Sequence, residues 1–231
     1  MRLHRKSNAL RRLMAGCLSL TIVSWFGTSV LAAEPEAAKD AQALLTIRLQ
    51  AVGHDSPEWK ARMADGLARS DFCARCHGQD GTSVMPLVPN LAGQNPYYLL
   101  DQIEQFADGR RKDFIMSPLA RQFSQQDKVA LAFYYANMTP RAQVRVQEAD
   151  PDRARQGGAL YLQRCVGCHG QDAHGSDKFA RLAGQHPDYL KQRLAGFREV
   201  GGNSYSIMVG IAKSLSEHDI MVLTSYLASL R

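Results

Sequence analysis

The sequence predicts an all-α protein made of two tandem copies of one small domain, and three observations predict it. The pentapeptide Cys-x-x-Cys-His occurs twice, as Cys73-Ala74-Arg75-Cys76-His77 and as Cys165-Val166-Gly167-Cys168-His169, with matching positions 92 residues apart. Met116 and Met208 recur at the same offset, each 39 positions after the His of its own pentapeptide. No stretch alternates apolar and polar residues convincingly enough for a strand. Self-similarity at a long fixed period marks a duplicated unit.

The first repeat reads as helices over about residues 57–76, 96–108 and 124–138, the second as helices over about 152–168, 187–199 and 216–230. Leu91-Ala92-Gly93-Gln94 returns as Leu182-Ala183-Gly184-Gln185 at an offset of 91, followed by the pairs Pro96 with Pro187 and Tyr98 with Tyr189. Ser124 and Asp127 match Ser216 and Asp219, and a Ser suits the N-cap of each last helix. The domains are therefore expected at 57–138 and 152–231, joined by a linker over 139–151 that carries Pro140, Pro151 and mixed charges. Residues 33–56 fall outside the repeat. Ala41, Leu44, Leu45, Ile47, Leu49 and Val52 could make a short amphipathic helix there, in what the flanking residues suggest is a loosely attached arm.

Residues 1–32 read as a cleaved secretory signal peptide, with Arg2, Arg5, Lys6, Arg11 and Arg12 before an apolar run from Leu13 to Leu31 and a small-residue site at Ala32 or Ala33. Export to the bacterial periplasm follows as an expectation. The run is also long enough to span a bilayer, which keeps an uncleaved anchor as the alternative. Five of the 28 Lys and Arg residues, and none of the 22 acids, lie in that leader, so the rest of the chain is nearly neutral. The basic pI thus describes the leader and gives no support for nucleic-acid binding.

The pentapeptide is the attachment signature of c-type haem. Its two thiols can add across two haem vinyl groups, and the next residue then lies under the porphyrin with its imidazole toward iron. A four-thiolate zinc site is disfavoured because 88 residues separate the two Cys pairs, and a thioredoxin-like redox pair lacks the surrounding strand and helix pattern. The cofactors read from the sequence are two covalently bound haems c, held by Cys73 and Cys76 and by Cys165 and Cys168. Domains of this size have marginal polypeptide cores, so an apolar macrocycle would serve as a staple as well as a reagent.

His77 and His169 are expected as the iron ligands on one face, with Met116 and Met208 on the other. A Met beside an Ile is ordinarily core packing, but the matched 39-residue spacing favours ligation. Met85 is too near His77 in sequence to cross the porphyrin, and Met63, Met138 and Met221, within expected helices and without matched partners, read as packing. His54, His174, His186 and His218 have no counterparts in the other half and read as solvated loop or helix-end residues. Arg110-Arg111-Lys112 reads as a solvated loop, with a docking patch as the alternative, and Trp59 as local packing.

Leu-Ala-Gly-Gln after each haem motif, and an Ile-Met segment before each Ser-initiated last helix, resemble the cytochrome c4 family over about residues 57–231. That resemblance implies two class I cytochrome c domains related by a pseudo-twofold axis, with haem propionates near the domain interface. It also implies that the carbonyl of a Pro before Leu-Ala-Gly-Gln orients the proximal His. Pro89 fits this pattern, whereas the second repeat has Ala180, which offers a carbonyl on a less rigid backbone. The long N-terminal arm departs from the family start and is read as an adaptation to a partner or surface, with peripheral membrane association in view.

Two irons with both faces ligated have no open position for substrate, so the expected chemistry is one-electron transfer and not catalysis. The resemblance implies a periplasmic carrier between a quinol-oxidising complex and a terminal oxidase. The alternative is a dihaem electron-accepting subunit of an oxidoreductase complex, such as a flavoprotein sulfide dehydrogenase. A dihaem enzyme, such as a thiosulfate dehydrogenase or a peroxidase, would need one labile or unusual ligand.

Overall fold

Helix starts and stops are written into the chain twice. The computed structural model describes residues 36–49, 55–141, 150–176, 179–199 and 206–231. The expected leader, His54 and residues 142–149 of the expected linker lie outside them. Among the described residues there are ten helices and no β-strand.

In the first repeat α2 (Pro57–His77) starts where the Ser56 hydroxyl accepts from the Trp59 N–H at 3.1 Å, with Pro at the first helical position. It ends at Gly78, whose φ of 84° suits glycine. The partner α6 (Pro151–Arg164) is capped by Asp150 and stops at Cys165; the short α7 (Val166–His169) then carries the second motif to Gly170 at φ 78°. The single helix predicted over 152–168 is thus broken at Cys165, where φ is −119° and ψ −31°.

The matching pair α3 (Pro96–Asp108) and α8 (Pro187–Glu199) follow, and then two short helices absent from the sequence reading, α4 (Met116–Ala120) and α9 (Ile207–Ser214). The last helices, α5 (Gln125–Ala136) and α10 (Glu217–Ser229), open with complete capping boxes, Ser124 with Asp127 and Ser216 with Asp219.

In each domain the first and last helices of the repeat cross closely, because the crossing residue is glycine. A Cβ added at Gly66 of α2 would sit 2.3 Å from the Tyr134 Cβ on α5, and one at Gly157 of α6 would sit 2.0 Å from the Val222 carbonyl oxygen on α10. Both are far inside van der Waals contact. The arm forms the expected helix, α1 (Glu36–Leu49), but it is not loosely attached: Ala41 and Leu45 are fully buried with Leu99, Leu100, Val129 and Tyr135. Ala41 and Leu45 are four positions apart, hence on one face, and burying a Leu contributes about 1.5–3 kcal/mol. The second core, built on Tyr161, Leu190, Ile220, Leu223 and Leu227, has no such added helix in its cluster. No described helix is long and apolar enough to cross a membrane.

Candidate haem-binding sites

Cys73 and Cys76 lie three positions apart at the end of α2, on one helix face, and both are free and half-buried. His77 follows, buried, with its Nδ1 2.9 Å from the Pro89 carbonyl oxygen. A carbonyl only accepts, so Nδ1 carries the proton and the Nε2 lone pair is left for a metal. Burial pushes the His77 imidazole down from its ordinary value, against the pull of the Pro89 carbonyl and the Asp113 carboxylate. The ring is thereby kept in its neutral, ligating form. Burial likewise pushes the Cys73 thiol up from its ordinary value.

The second repeat rebuilds this arrangement. His169 is buried with its Nδ1 2.9 Å from the Ala180 carbonyl oxygen, and burial pushes its imidazole down as well. Proline is therefore not required for the carbonyl to reach the ring, and the departure at Ala180 leaves the distance unchanged. Burial pushes the Cys165 thiol up to about 11. The Phe179 ring meets the His169 imidazole edge to face, with centroids 6.3 Å apart.

Met116 begins α4, where the Asp113 carboxylate accepts from the backbone N–H groups of both Ile115 and Met116, at 2.9 and 2.8 Å. Asp113, which ties down the start of the Met116 helix, is also the carboxylate that pulls against the lowering of His77. Met208 lies in the first turn of α9, which packs on α8 and is tied there by the Arg198 guanidinium donating to the Ala212 carbonyl at 2.9 Å. Both Met side chains are half-buried. The two Cys pairs do not come together, and no group of three or more His, Cys, Asp or Glu among the described residues forms a metal cluster.

Two residues read as solvent-facing are placed otherwise. His186 is 6 % exposed and its Nε2 lies 3.0 Å from the Ser83 carbonyl oxygen of the other domain. Arg111 donates to Gln102 at 2.7 Å and to the Tyr189 hydroxyl at 3.2 Å across the interface, and stacks over Phe106 at 4.3 Å. His174 matches the solvated-loop reading: its side chain is 42 % exposed, pairing with Asp172 at 2.9 Å and meeting the Arg231 carbonyl at 2.8 Å. His218, bonded to Gln156 at 3.2 Å on the surface, matches the helix-end reading.

The interface also gathers a group the sequence reading missed. Tyr98 on α3 and Tyr189 on α8, the repeat-related pair, meet Arg111 and Arg193. Burial and the like charge of Arg111 hold the Arg193 guanidinium below its ordinary value, and burial pushes the Tyr98 phenol up. Neither guanidinium forms an ion pair among the described residues, so positive charge is concentrated where the two domains meet. That is the complement of the carboxylates on a haem edge. The signal in the sequence was the repeat of Tyr98 at Tyr189; the two Arg residues do not repeat.

Two helical repeats, each with a paired thiol motif and a carbonyl-oriented histidine, define a c-type cytochrome with tandem class I domains and two covalent haems. A family model described as "Cytochrome C oxidase, cbb3-type, subunit III" matches residues 152–227. The chain is 35% identical to cytochrome c4 of Pseudomonas aeruginosa, with 81% of this chain and 96% of that protein covered. The crystal structure of reduced recombinant cytochrome c4 from Pseudomonas stutzeri superposes with a TM-score of 0.66 at 33% identity, covering 73% of this chain and 98% of that one. A "Thiosulfate dehydrogenase electron acceptor" of Thiomonas intermedia is 28% identical, over 68% of this chain and 77% of its own length. The chain belongs to the cytochrome c4 family and is a dihaem electron carrier.

Proposed function

We propose that the protein shuttles single electrons in the periplasm between a quinol-oxidising complex and a terminal oxidase, with both irons coordinated by His and Met. In this reading Cys73 and Cys76 hold the first haem and His77 and Met116 bind its iron. Cys165 and Cys168 hold the second, with His169 and Met208. The observation that carries the reading is the identical 2.9 Å bond from each motif His to a backbone carbonyl, which fixes both rings with Nε2 free. Haem supplies a one-electron iron couple when bound, and a Met ligand raises its potential. Arg111 and Arg193 would meet the propionates. With His and Met both on each iron, neither site would offer iron to a substrate, which supports a carrier over an enzyme. Export rests on the leader over residues 1–32.

The test is a haem count and a visible spectrum of the ferric holoprotein. Two haems per chain, each with the weak long-wavelength band of Met ligation and neither binding carbon monoxide when reduced, are expected. Carbon monoxide binding at one haem would contradict the fully ligated reading. A second reading, an electron-accepting subunit of a dehydrogenase, is favoured by the similarity to the Thiomonas intermedia electron acceptor. A flavoprotein sulfide dehydrogenase and a thiosulfate dehydrogenase are the two donors to compare. Stopped-flow reduction of this protein by each, against reduction by a quinol-oxidising complex, separates the readings.

A further inference from the structure

The two Leu-Ala-Gly-Gln segments face each other across the domain interface, and each Gln side chain reaches into the opposite domain. Gln185 accepts from the Asn90 N–H at 2.9 Å through Oε1 and donates to the Asn90 carbonyl at 3.0 Å through Nε2. Gln94 does the same to Arg181, accepting from its N–H at 2.6 Å and donating to its carbonyl at 2.8 Å. Both Gln residues are 6 % exposed. The residue after each Gln repeats the crossing: His186 bonds the Ser83 carbonyl, and Asn95 bonds the His174 carbonyl at 3.3 Å.

Asn90 and Arg181 each follow the residue that holds a motif histidine. The peptide whose C=O accepts from His77 is the Pro89–Asn90 peptide, and its N–H donates to Gln185. The peptide whose C=O accepts from His169 is Ala180–Arg181, and its N–H donates to Gln94. A hydrogen bond at the N–H of an amide polarises it and makes its carbonyl a better acceptor, by about 10–30 % per bond in a chain. A stronger acceptor at Nδ1 gives the ring more imidazolate character and makes it a more basic metal ligand.

From this geometry we infer that Gln94 and Gln185 are crossed positioning residues, each setting the proximal-histidine hydrogen bond, and thereby the potential, of the haem in the other domain. The inference rests on His77 and His169 being the iron ligands. One electron enters or leaves each site through the redox partner, and the Nδ1 proton stays on its ring throughout. A more basic ligand favours the ferric state, so loss of the Gln bond shifts the opposite haem toward the ferrous state.

The experiment replaces each Gln by the uncharged, similarly sized Met in the two-haem protein. Reductive titration with each haem assigned by NMR follows the potentials, and the Nδ1–H resonances of His77 and His169 are read in ¹⁵N-labelled reduced protein. Gln185→Met is expected to raise the potential of the His77 haem, shifting its redox equilibrium a few-fold toward ferrous, and to move the His77 Nδ1–H signal while sparing His169. Gln94→Met is expected to do the reverse. A shift confined to the substituted residue's own domain, equal shifts in both, or no shift would overturn the inference. If Gln185→Met does not assemble with two haems, Gln185→Asn, too short to reach Asn90, carries the same expectation. Wild-type protein lacking porphyrin-shifted ring signals from His77 and His169 would instead contradict the ligand reading on which the inference rests.

Discussion

The first domain closes its core with a charge pair where the second closes its own with hydrocarbon. Lys128 on α5 reaches Glu104 on α3 at 3.0 Å, and the Lys side chain is nearly excluded from solvent. The matching positions of the second repeat are Ile220 on α10, 2 % exposed, and Ala195 on α8. The domains differ again beside the motif. Arg69 of α2 bonds the cap residue Asp127 at 2.7 Å, whereas its counterpart Tyr161 is buried and donates to the Gly170 carbonyl at 2.5 Å. Yet the distance from each motif His to its carbonyl is the same. The scaffold fills matching positions in unlike ways, while the hydrogen bond that orients each motif His is kept at one length.

That comparison can be broken most forcefully at the ion pair. Lys128→Ile alone leaves Glu104 without its cation in a buried place, and removal of one partner of such a pair costs about 3–5 kcal/mol. The double replacement Lys128→Ile with Glu104→Ala installs the second domain's solution and is expected to recover most of that loss. Denaturant unfolding of the two-haem protein followed by circular dichroism measures both. Equal destabilisation by the single and double variants would show that the two domains are not interchangeable at this position.

A smaller effect sharpens the comparison in the loop after each motif. Gly81 at φ 72° and Ala173 at φ 58° are repeat-related, and each carbonyl accepts from the backbone N–H groups of the Leu and Ala of Leu-Ala-Gly-Gln. Left-handed backbone costs a residue with a Cβ about 1–2 kcal/mol. Gly81→Ala should therefore destabilise by about that amount, its Cβ also meeting Ala92 and Met138 at 3.0–3.1 Å. Ala173→Gly should stabilise by roughly 0.5 kcal/mol, the relief being partly offset by the entropy of glycine. Thermal unfolding of the two variants gives both signs.

The smallest expected effect is on acid stability. Hydrogen bonds from Ser124, and then the Arg69 guanidinium, hold the Asp127 carboxyl below its ordinary value; the Ser216 N–H and hydroxyl do the same for Asp219. A carboxyl depressed by folding stabilises fully above its unfolded value, about 3.9, and that contribution is lost as pH falls through the folded value. Asp127→Asn should flatten the stability–pH profile below about pH 4 more than Asp219→Asn, because Asp127 makes a direct 2.7 Å ion pair with Arg69 whereas Arg164 acts on Asp219 without one among the described residues. Equal flattening would remove that distinction between the domains.

Most of the helical framework was legible because caps and prolines are local signals. Ser124 and Ser216 open the helices expected of them, and the spans at 96–108 and 187–199 agree with expectation residue for residue. The haem motif was legible because its chemistry needs residues adjacent in sequence. What the chain could not announce depends on which distant backbone lies opposite. His186 looks like a loop residue until Ser83 of the other domain is beside it, and Ala180 looks like a weakened Pro89 until its carbonyl proves to do the same work. The burial of α1 was hidden for the same reason, since Ala41 and Leu45 are a short apolar face whose partners lie more than fifty residues away.

The central claim is that both repeats bind iron in the same way, through His77 with Met116 and His169 with Met208. Proton NMR of the reduced two-haem protein tests it most directly, because a Met methyl on an axial position is shifted far upfield by the porphyrin ring current. Two such methyl signals are expected, one lost in Met116→Ala and the other in Met208→Ala. A single upfield methyl in the wild-type protein, or a signal that survives both substitutions, would contradict the account.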